Sequence, residues 1–199
     1  LRHILLVCTG NTCRSPMAES MLADMARKAG KPLEVRSAGV AGIDGYPVSP
    51  HAAETLRRRN LPVPGPSQAL SAKQIAWADV ILAMTTSHKR LILERHPEAA
   101  GKTYTLKEFA LQGEAEMDAV AEAERLYAEW QLQQAMGRKM AEADREKMLG
   151  LQRELPDFDI ADPFGGSLTD YESCAEEIGA ALRLVVDKLE EDDCPKETD

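Results

Sequence analysis

This 199-residue chain has no apolar run long enough to cross a membrane, and no signal-peptide pattern opens it. Cysteine is sparse. The four present form no CxxC or zinc-like spacing, which argues against a disulfide scaffold and a zinc module and fits a reducing compartment. The expected location is therefore cytoplasmic. Positive charge is the scarcer sign: 24 Lys and Arg stand against 33 Asp and Glu, a formal net charge of −9. That balance disfavours a nucleic acid or an anionic membrane as partner. The four histidines, His3, His51, His88 and His96, need no role beyond core or surface packing, so no metal and no cofactor is expected. Internal repeats and low-complexity tracts are also missing. What remains is a 44% apolar chain with enough core for one compact domain, 1–199.

Within it, one stretch carries concentrated chemistry: Cys8-Thr9-Gly10-Asn11-Thr12-Cys13-Arg14-Ser15-Pro16. A cysteine, five residues and an arginine let the backbone curl into a ring whose N–H groups point inward as an anion nest. Arg14 closes the ring with a planar fork matched to two phosphate oxygens. Pro16 suits the first turn of a following helix, whose positive end also faces the anion. A cationic, amide-lined setting favours the thiolate, the form of Cys8 that attacks phosphorus. Spacing alone is a weak signal, but its flanks strengthen it. His3 to Val7 is a short strand-like apolar run, and Met17, Met21, Leu22 and Met25 share one face of a helix reaching Lys28. Strand, glycine-containing loop and helix together are the phosphate-binding arrangement of open α/β sheets.

Further strands are expected at 33–37, 79–84 and 102–105, alternating with helices at 16–29, 50–59, 71–77, 86–96 and 168–191. Such alternation predicts an α/β fold, a four-stranded parallel sheet with helices on both faces. Right-handed crossovers then bring every strand C-terminus to the edge that holds Cys8. The segment 113–155 differs in kind. Its residues 114–136 lack glycine and proline and are rich in helix formers, and the whole segment has ten acidic and six basic residues. Met117, Val120, Tyr127 and Trp130 lie near one helical face, as do Met136, Met140 and Ala143, and Gly137 or Gly150 can mark a bend. The segment reads as a helical insertion that packs on its own body or serves as a docking arm for partners.

The chain resembles the low-molecular-weight protein tyrosine phosphatases, in particular their bacterial, YwlE-like protein-arginine-phosphatase branch. The resemblance rests on CTGNTCRSPMAES at 8–20, RSAGV at 36–40, PHA at 50–52, ADVILAMT at 78–85, TLKEF at 105–109 and DPFGGS at 162–167. It implies a flavodoxin-like topology, no cofactor, and phosphorylated proteins as substrates. Cys8 is then the nucleophile that forms a phosphocysteine, Arg14 the phosphate clamp, and Asp162 the general acid and later base. Thr9, Gly10, Asn11, Thr12, Cys13, Ser15 and Phe164 are expected around the substrate, with Tyr46 as a further wall, and Ser37 behind Asn11. Cys13, five residues from Cys8 in a curling loop, is expected as its redox partner. Thr12 stands where tyrosine-specific relatives usually carry a bulky aliphatic side chain. Threonine there suits a planar, polar guanidinium better than an aryl ring. The alternatives are a phosphotyrosine phosphatase on the same site and a silent phosphate-binding module. An arsenate reductase would need a cysteine relay, for which Cys174 and Cys194 offer no paired spacing.

Overall fold

The structure, a computed structural model, describes residues 2–111 and 114–191. It divides into two compact units, residues 1–111 with 158–199 and residues 112–157. In the first, β1 (Arg2–Cys8), α1 (Arg14–Lys28) and β2 (Leu33–Gly39) are followed by α2 (Pro50–Arg58), α3 (Ala72–Trp77) and β3 (Val80–Ala83). Next come α4 (Thr86–Arg95), a 3-10 turn (Pro97–Lys102), β4 (Thr103–Thr105) and α5 (Leu106–Leu111). The insertion holds α6 (Glu114–Ala135) and α7 (Glu142–Glu154), and α8 (Leu168–Glu191) closes the first unit.

The four strands pair in parallel in the order β2-β1-β3-β4. Ile4, Leu5, Leu6 and Val7 of the central β1 are all fully buried, because helices cover both faces. The period of two divides them: Ile4, Leu6 and Cys8 join the core with α1, α2 and α8, whereas Leu5 and Val7 join Ile75 and Ile92 of α3 and α4. On α1, Met17, Met21 and Leu22 are buried and Met25 packs at the core's edge, the stripe expected from the sequence. Chain order reverses around β1, whose neighbours are β2 on one side and β3 on the other. The crevice at the carboxyl end of such a strand is where open α/β sheets bind ligands, and Cys8 ends β1.

Two expectations need correction. Residues 106–111, for which the sequence predicts no helix, form α5. The signal was present: Thr105 and Glu108 make a capping box, with Thr105 Oγ1 accepting from the Glu108 amide at 3.1 Å and Glu108 Oε2 from the Thr105 amide at 2.8 Å. In the insertion, Gly150 lies inside α7 rather than at a bend. Gly137 is the terminator. At φ 67° it ends α6, with its amide on Gln134 O at 3.0 Å and that of Arg138 on Gln133 O at 2.8 Å, a Schellman pair. This break takes Met136 and Ala143 out of a common stripe, and both are exposed. Helices α6 and α7 pack on each other, with Leu126 and Met148 buried. The Met117 side chain and Cys194 lie outside the described residues.

Candidate active site

Residues 8–14 wrap around a cavity of about 210 Å³ lined by Cys8, Thr9, Gly10, Thr12, Cys13, Arg14, Asp162 and Phe164. The wrapping is enforced from outside. The carbonyls of Cys8, Thr9 and Thr12 accept from the amides of Val40 (2.9 Å), Ala41 (3.0 Å) and Ser49 (2.8 Å). Loop carbonyls thus turn outward onto the 39–49 segment, which leaves the amides for an anion in the middle. Gly39 is where the two segments touch. A Cβ there would stand 2.6 Å from Thr9 O and 2.9 Å from Asn11 N, so only glycine fits. Helix α1 then starts at Arg14, and its N-cap Cys13 makes no side-chain cap bond, which leaves the helix N-terminus to face the cavity.

Asn11 takes the left-handed conformation, φ 57°, a strain that its side chain offsets with three hydrogen bonds. The Gln68 amide donates to Oδ1 at 2.8 Å, which fixes the amide's orientation and leaves Nδ2 as a pure donor. Nδ2 donates to Ser15 Oγ at 2.9 Å and to Ser37 Oγ at 2.8 Å. Both hydroxyls, accepting there, are free to donate elsewhere. Ser15 Oγ lies 3.0 Å from Cys8 Sγ and donates to it once Cys8 is a thiolate, and Ser37 donates to the Glu19 carboxylate. With Cys8 as the thiolate, the polarity runs one way, from the Asn11 amide through the Ser15 hydroxyl to the sulfur. Burial raises the Glu19 carboxyl, and the Ser37 hydrogen bond partly offsets it.

Arg14 is almost fully buried. Its Nη1 donates to Ile160 O at 3.1 Å, while Nη2 reaches Asp162 Oδ2 at 3.1 Å and Thr9 Oγ1 at 3.4 Å. Asp162 is half-exposed on a loop stiffened by Pro163 and turned at Gly165 (φ 77°), and its Oδ1 accepts from the Phe164 amide at 3.2 Å. Phe164 lines the cavity with 77% of its surface exposed. Tyr46 does not reach the cavity: it is exposed and tied to Ser67 through its backbone. Cys13 Sγ lies 3.3 Å from Tyr171 OH and 3.4 Å from Ser49 Oγ, and burial together with Cys13 lifts the tyrosine to about 12. Cys174 is buried beside Ala161 O at 3.5 Å, its thiol pushed up to about 12 by burial, a setting that leaves it inert. Among the described residues, no group of three or more His, Cys, Asp and Glu is placed to hold a metal, and no helix is long and apolar enough to cross a membrane.

Residues 3–129 match the family described as low molecular weight phosphotyrosine protein phosphatase. The chain belongs to that family. A protein-arginine-phosphatase of Geobacillus stearothermophilus is 34% identical over 188 residues, 94% of this chain and 96% of the relative. One from Bacillus subtilis (strain 168) is 30% identical over 189 residues, covering 95% and 97%. A solved structure of a YwlE arginine phosphatase mutant, with serine for cysteine and a phosphorylated active site serine, is also similar. It superposes with a TM-score of 0.71 at 29% identity, covering 96% of this chain and 97% of that one.

Two groups beside the 8–14 loop are given no role by the sequence. His88, in the first turn of α4, is buried with Nε2 2.8 Å from Thr9 Oγ1, and Tyr171 on α8 meets Cys13. Each is linked across 79 or 158 residues, with no local pattern to announce it.

Proposed function

We propose that this chain is a protein-arginine phosphatase that works through a phosphocysteine on Cys8. The phosphoryl group of a phosphoarginine sits within the 8–14 loop, with Arg14 and the loop amides neutralising its oxygens. The Cys8 thiolate attacks phosphorus in line with the P–N bond. As that bond breaks, the Asp162 carboxylic acid gives its proton to the departing guanidine nitrogen. Asp162, now a carboxylate, takes a proton from a water that attacks the phosphocysteine. Phosphate leaves with two of its oxygens on Arg14, and the Ser15 hydroxyl steadies the sulfur that regains its charge. Support for these roles comes from the 3.0 Å Ser15–Cys8 contact and the shared 3.1 Å approach of Arg14 and Asp162.

Substrate choice rests on one observation: Thr12, with its short polar side chain, lines the cavity with Cys8, Arg14 and Asp162. A bulky aliphatic residue there would narrow the wall against a guanidinium. Relatives named protein-arginine-phosphatases extend over nearly the whole chain, in keeping with this choice. The residues that carry the chemistry lie outside 112–157, so that unit is assigned a peripheral role, recruiting phosphorylated proteins rather than reacting with them. Free catalytic thiols suit a reducing cytoplasm.

The test is steady-state turnover of matched phosphoarginine and phosphotyrosine peptides by the wild type and Thr12→Ile. One or two methylenes of pocket shape change specificity by about 10–200-fold. Thr12→Ile is expected to lose phosphoarginine activity by that order while keeping or gaining phosphotyrosine activity. A wild type that prefers phosphotyrosine would overturn the assignment in favour of a tyrosine phosphatase. A parallel fall on both substrates would reduce Thr12 to loop support.

A further inference from the structure

The Thr9 hydroxyl lies at the rim of the cavity, 3.4 Å from Arg14 Nη2 and 2.8 Å from His88 Nε2. A hydroxyl has one proton and two lone pairs. Arg14 has no acceptor atoms, so its contact occupies one lone pair. What happens to the proton depends on the tautomer of His88. His88 is 6% exposed, and Nδ1 is buried with no hydrogen-bond partner among the described residues. A buried N–H without an acceptor is rarer and worse tolerated than an unpaired lone pair. The ring proton therefore belongs on Nε2, which donates to Thr9 and occupies the second lone pair. With both lone pairs taken, the Thr9 proton has only the cavity to point into.

We propose that His88 is a positioning residue that turns Thr9 into a hydrogen-bond donor to the bound phosphoryl group. In the opposite tautomer Thr9 would spend its proton on Nε2 and present a lone pair to the phosphoryl oxygens, a repulsive contact. Three further features support the assignment. Thr85 Oγ1 caps α4 by accepting from the His88 amide at 3.1 Å, which holds the residue at the mouth of the loop. Burial and the Arg14 charge depress the imidazole to about 4 against the opposing pull of Asp159 and Asp162, so it stays neutral at working pH. A neutral ring donates to Thr9 without competing with Arg14 for the anion.

The inference rests on the 8–14 loop being the phosphate site, as in the proposed function, but not on the leaving group being arginine. Its test uses binding of inorganic phosphate, measured by calorimetry on the full chain for the wild type, Thr9→Val, His88→Leu, His88→Gln and the Thr9→Val/His88→Leu double variant. Losing a hydrogen bond to a charged group weakens binding by roughly 10–100-fold. Thr9→Val and His88→Leu are each expected to lose about that much and the double variant no more, because both remove the same donor. His88→Gln, whose amide nitrogen reaches where Nε2 stood, restores binding. Nitrogen NMR at pH 7 reads the tautomer directly, even if a variant folds poorly. Additive losses, wild-type phosphate affinity in Thr9→Val, or a ring protonated on Nδ1 would each overturn the proposal. Phosphate binding that is normal alongside phosphoarginine peptides that are not hydrolysed would overturn the arginine reading and leave this one standing.

Discussion

Adding one methyl group at Gly39 gives the most direct test of how the phosphate loop is held. An alanine Cβ at this position would lie 2.6 Å from Thr9 O, 2.9 Å from Asn11 N and 2.9 Å from Gly10 C, all main-chain atoms that cannot rotate aside. Reaching ordinary contact near 3.4 Å from 2.6 Å requires a displacement of about 0.8 Å. Gly39 itself has little room to retreat. Its amide donates to Gln68 O at 2.9 Å and its carbonyl accepts from Leu70 at 2.9 Å, so the loop must yield instead. Misplacing a reacting group by about 1 Å costs on the order of 10²-fold in rate, and overpacking of this kind costs about 1–3 kcal/mol in stability. Gly39→Ala is therefore expected to fold with a lower melting temperature and to lose about 100-fold in kcat/KM on an aryl phosphate, assayed well below that temperature. A variant within about three-fold of the wild type, with unchanged phosphate affinity, would show that the loop tolerates the shift and refute the role given to the Gly39 contact.

Other substitutions test the chemistry. Cys8→Ser is expected to abolish turnover while still binding phosphate, and Asp162→Asn to lose about 10²–10⁴-fold in kcat; a phosphoenzyme trapped on any residue but Cys8 would contradict both. Peroxide is expected to inactivate the enzyme reversibly by joining Cys8 to Cys13, and Cys13→Ala to make recovery by thiol incomplete, whereas equal recovery of both forms argues against the disulfide. Acid should find a weakness at His88. Folded, its imidazole is depressed from 6.5 to about 4, so between those values only the unfolded chain binds the proton, and stability falls as pH drops through that window. The loss approaches about 3 kcal/mol at pH 4. Urea unfolding of His88→Gln should show a flatter acid limb, and an unchanged slope would assign it to other groups.

What was legible in the sequence was what is local. The strand, loop and first helix lie within 28 residues, and each part specifies the next, so the cavity's loop wall could be read by eye. Ser37 is expected behind Asn11 and is hydrogen-bonded to it, whereas Asn11 and Ser15, expected around the substrate, are not among the residues that line the cavity and instead support it from behind. Glu19, which accepts a hydrogen bond from Ser37, sits within the matched motif, but nothing local says that its side chain folds back. His88 and Tyr171 were invisible for a simpler reason: a lone histidine or tyrosine acquires meaning only from a partner brought to it by the fold. Tyr46 shows the opposite failure, a plausible residue on a nearby loop whose backbone pairing with Ser67 holds it away. Helix α5 is announced locally, because Thr105 and Glu108 have capping-box spacing.

Arg14 has a consequence for when the enzyme comes alive during synthesis. Its guanidinium is anchored on the carbonyl of Ile160, 146 positions later, and Ile160 is itself hydrogen-bonded to Met84 O at 2.8 Å. Cys8, the proposed nucleophile, is made almost first, and Asp162, the proposed acid, almost last. Between them lie three parallel strands whose pairing is long-range and slow to form. A ribosome-bound chain that has exposed Cys8 through Thr105 holds a thiol and an arginine but no anchored clamp and no proton donor. Reactive cysteine chemistry is thus expected only once α8 docks, and the return of phosphatase activity on refolding should coincide with the last phase of folding rather than with the appearance of secondary structure.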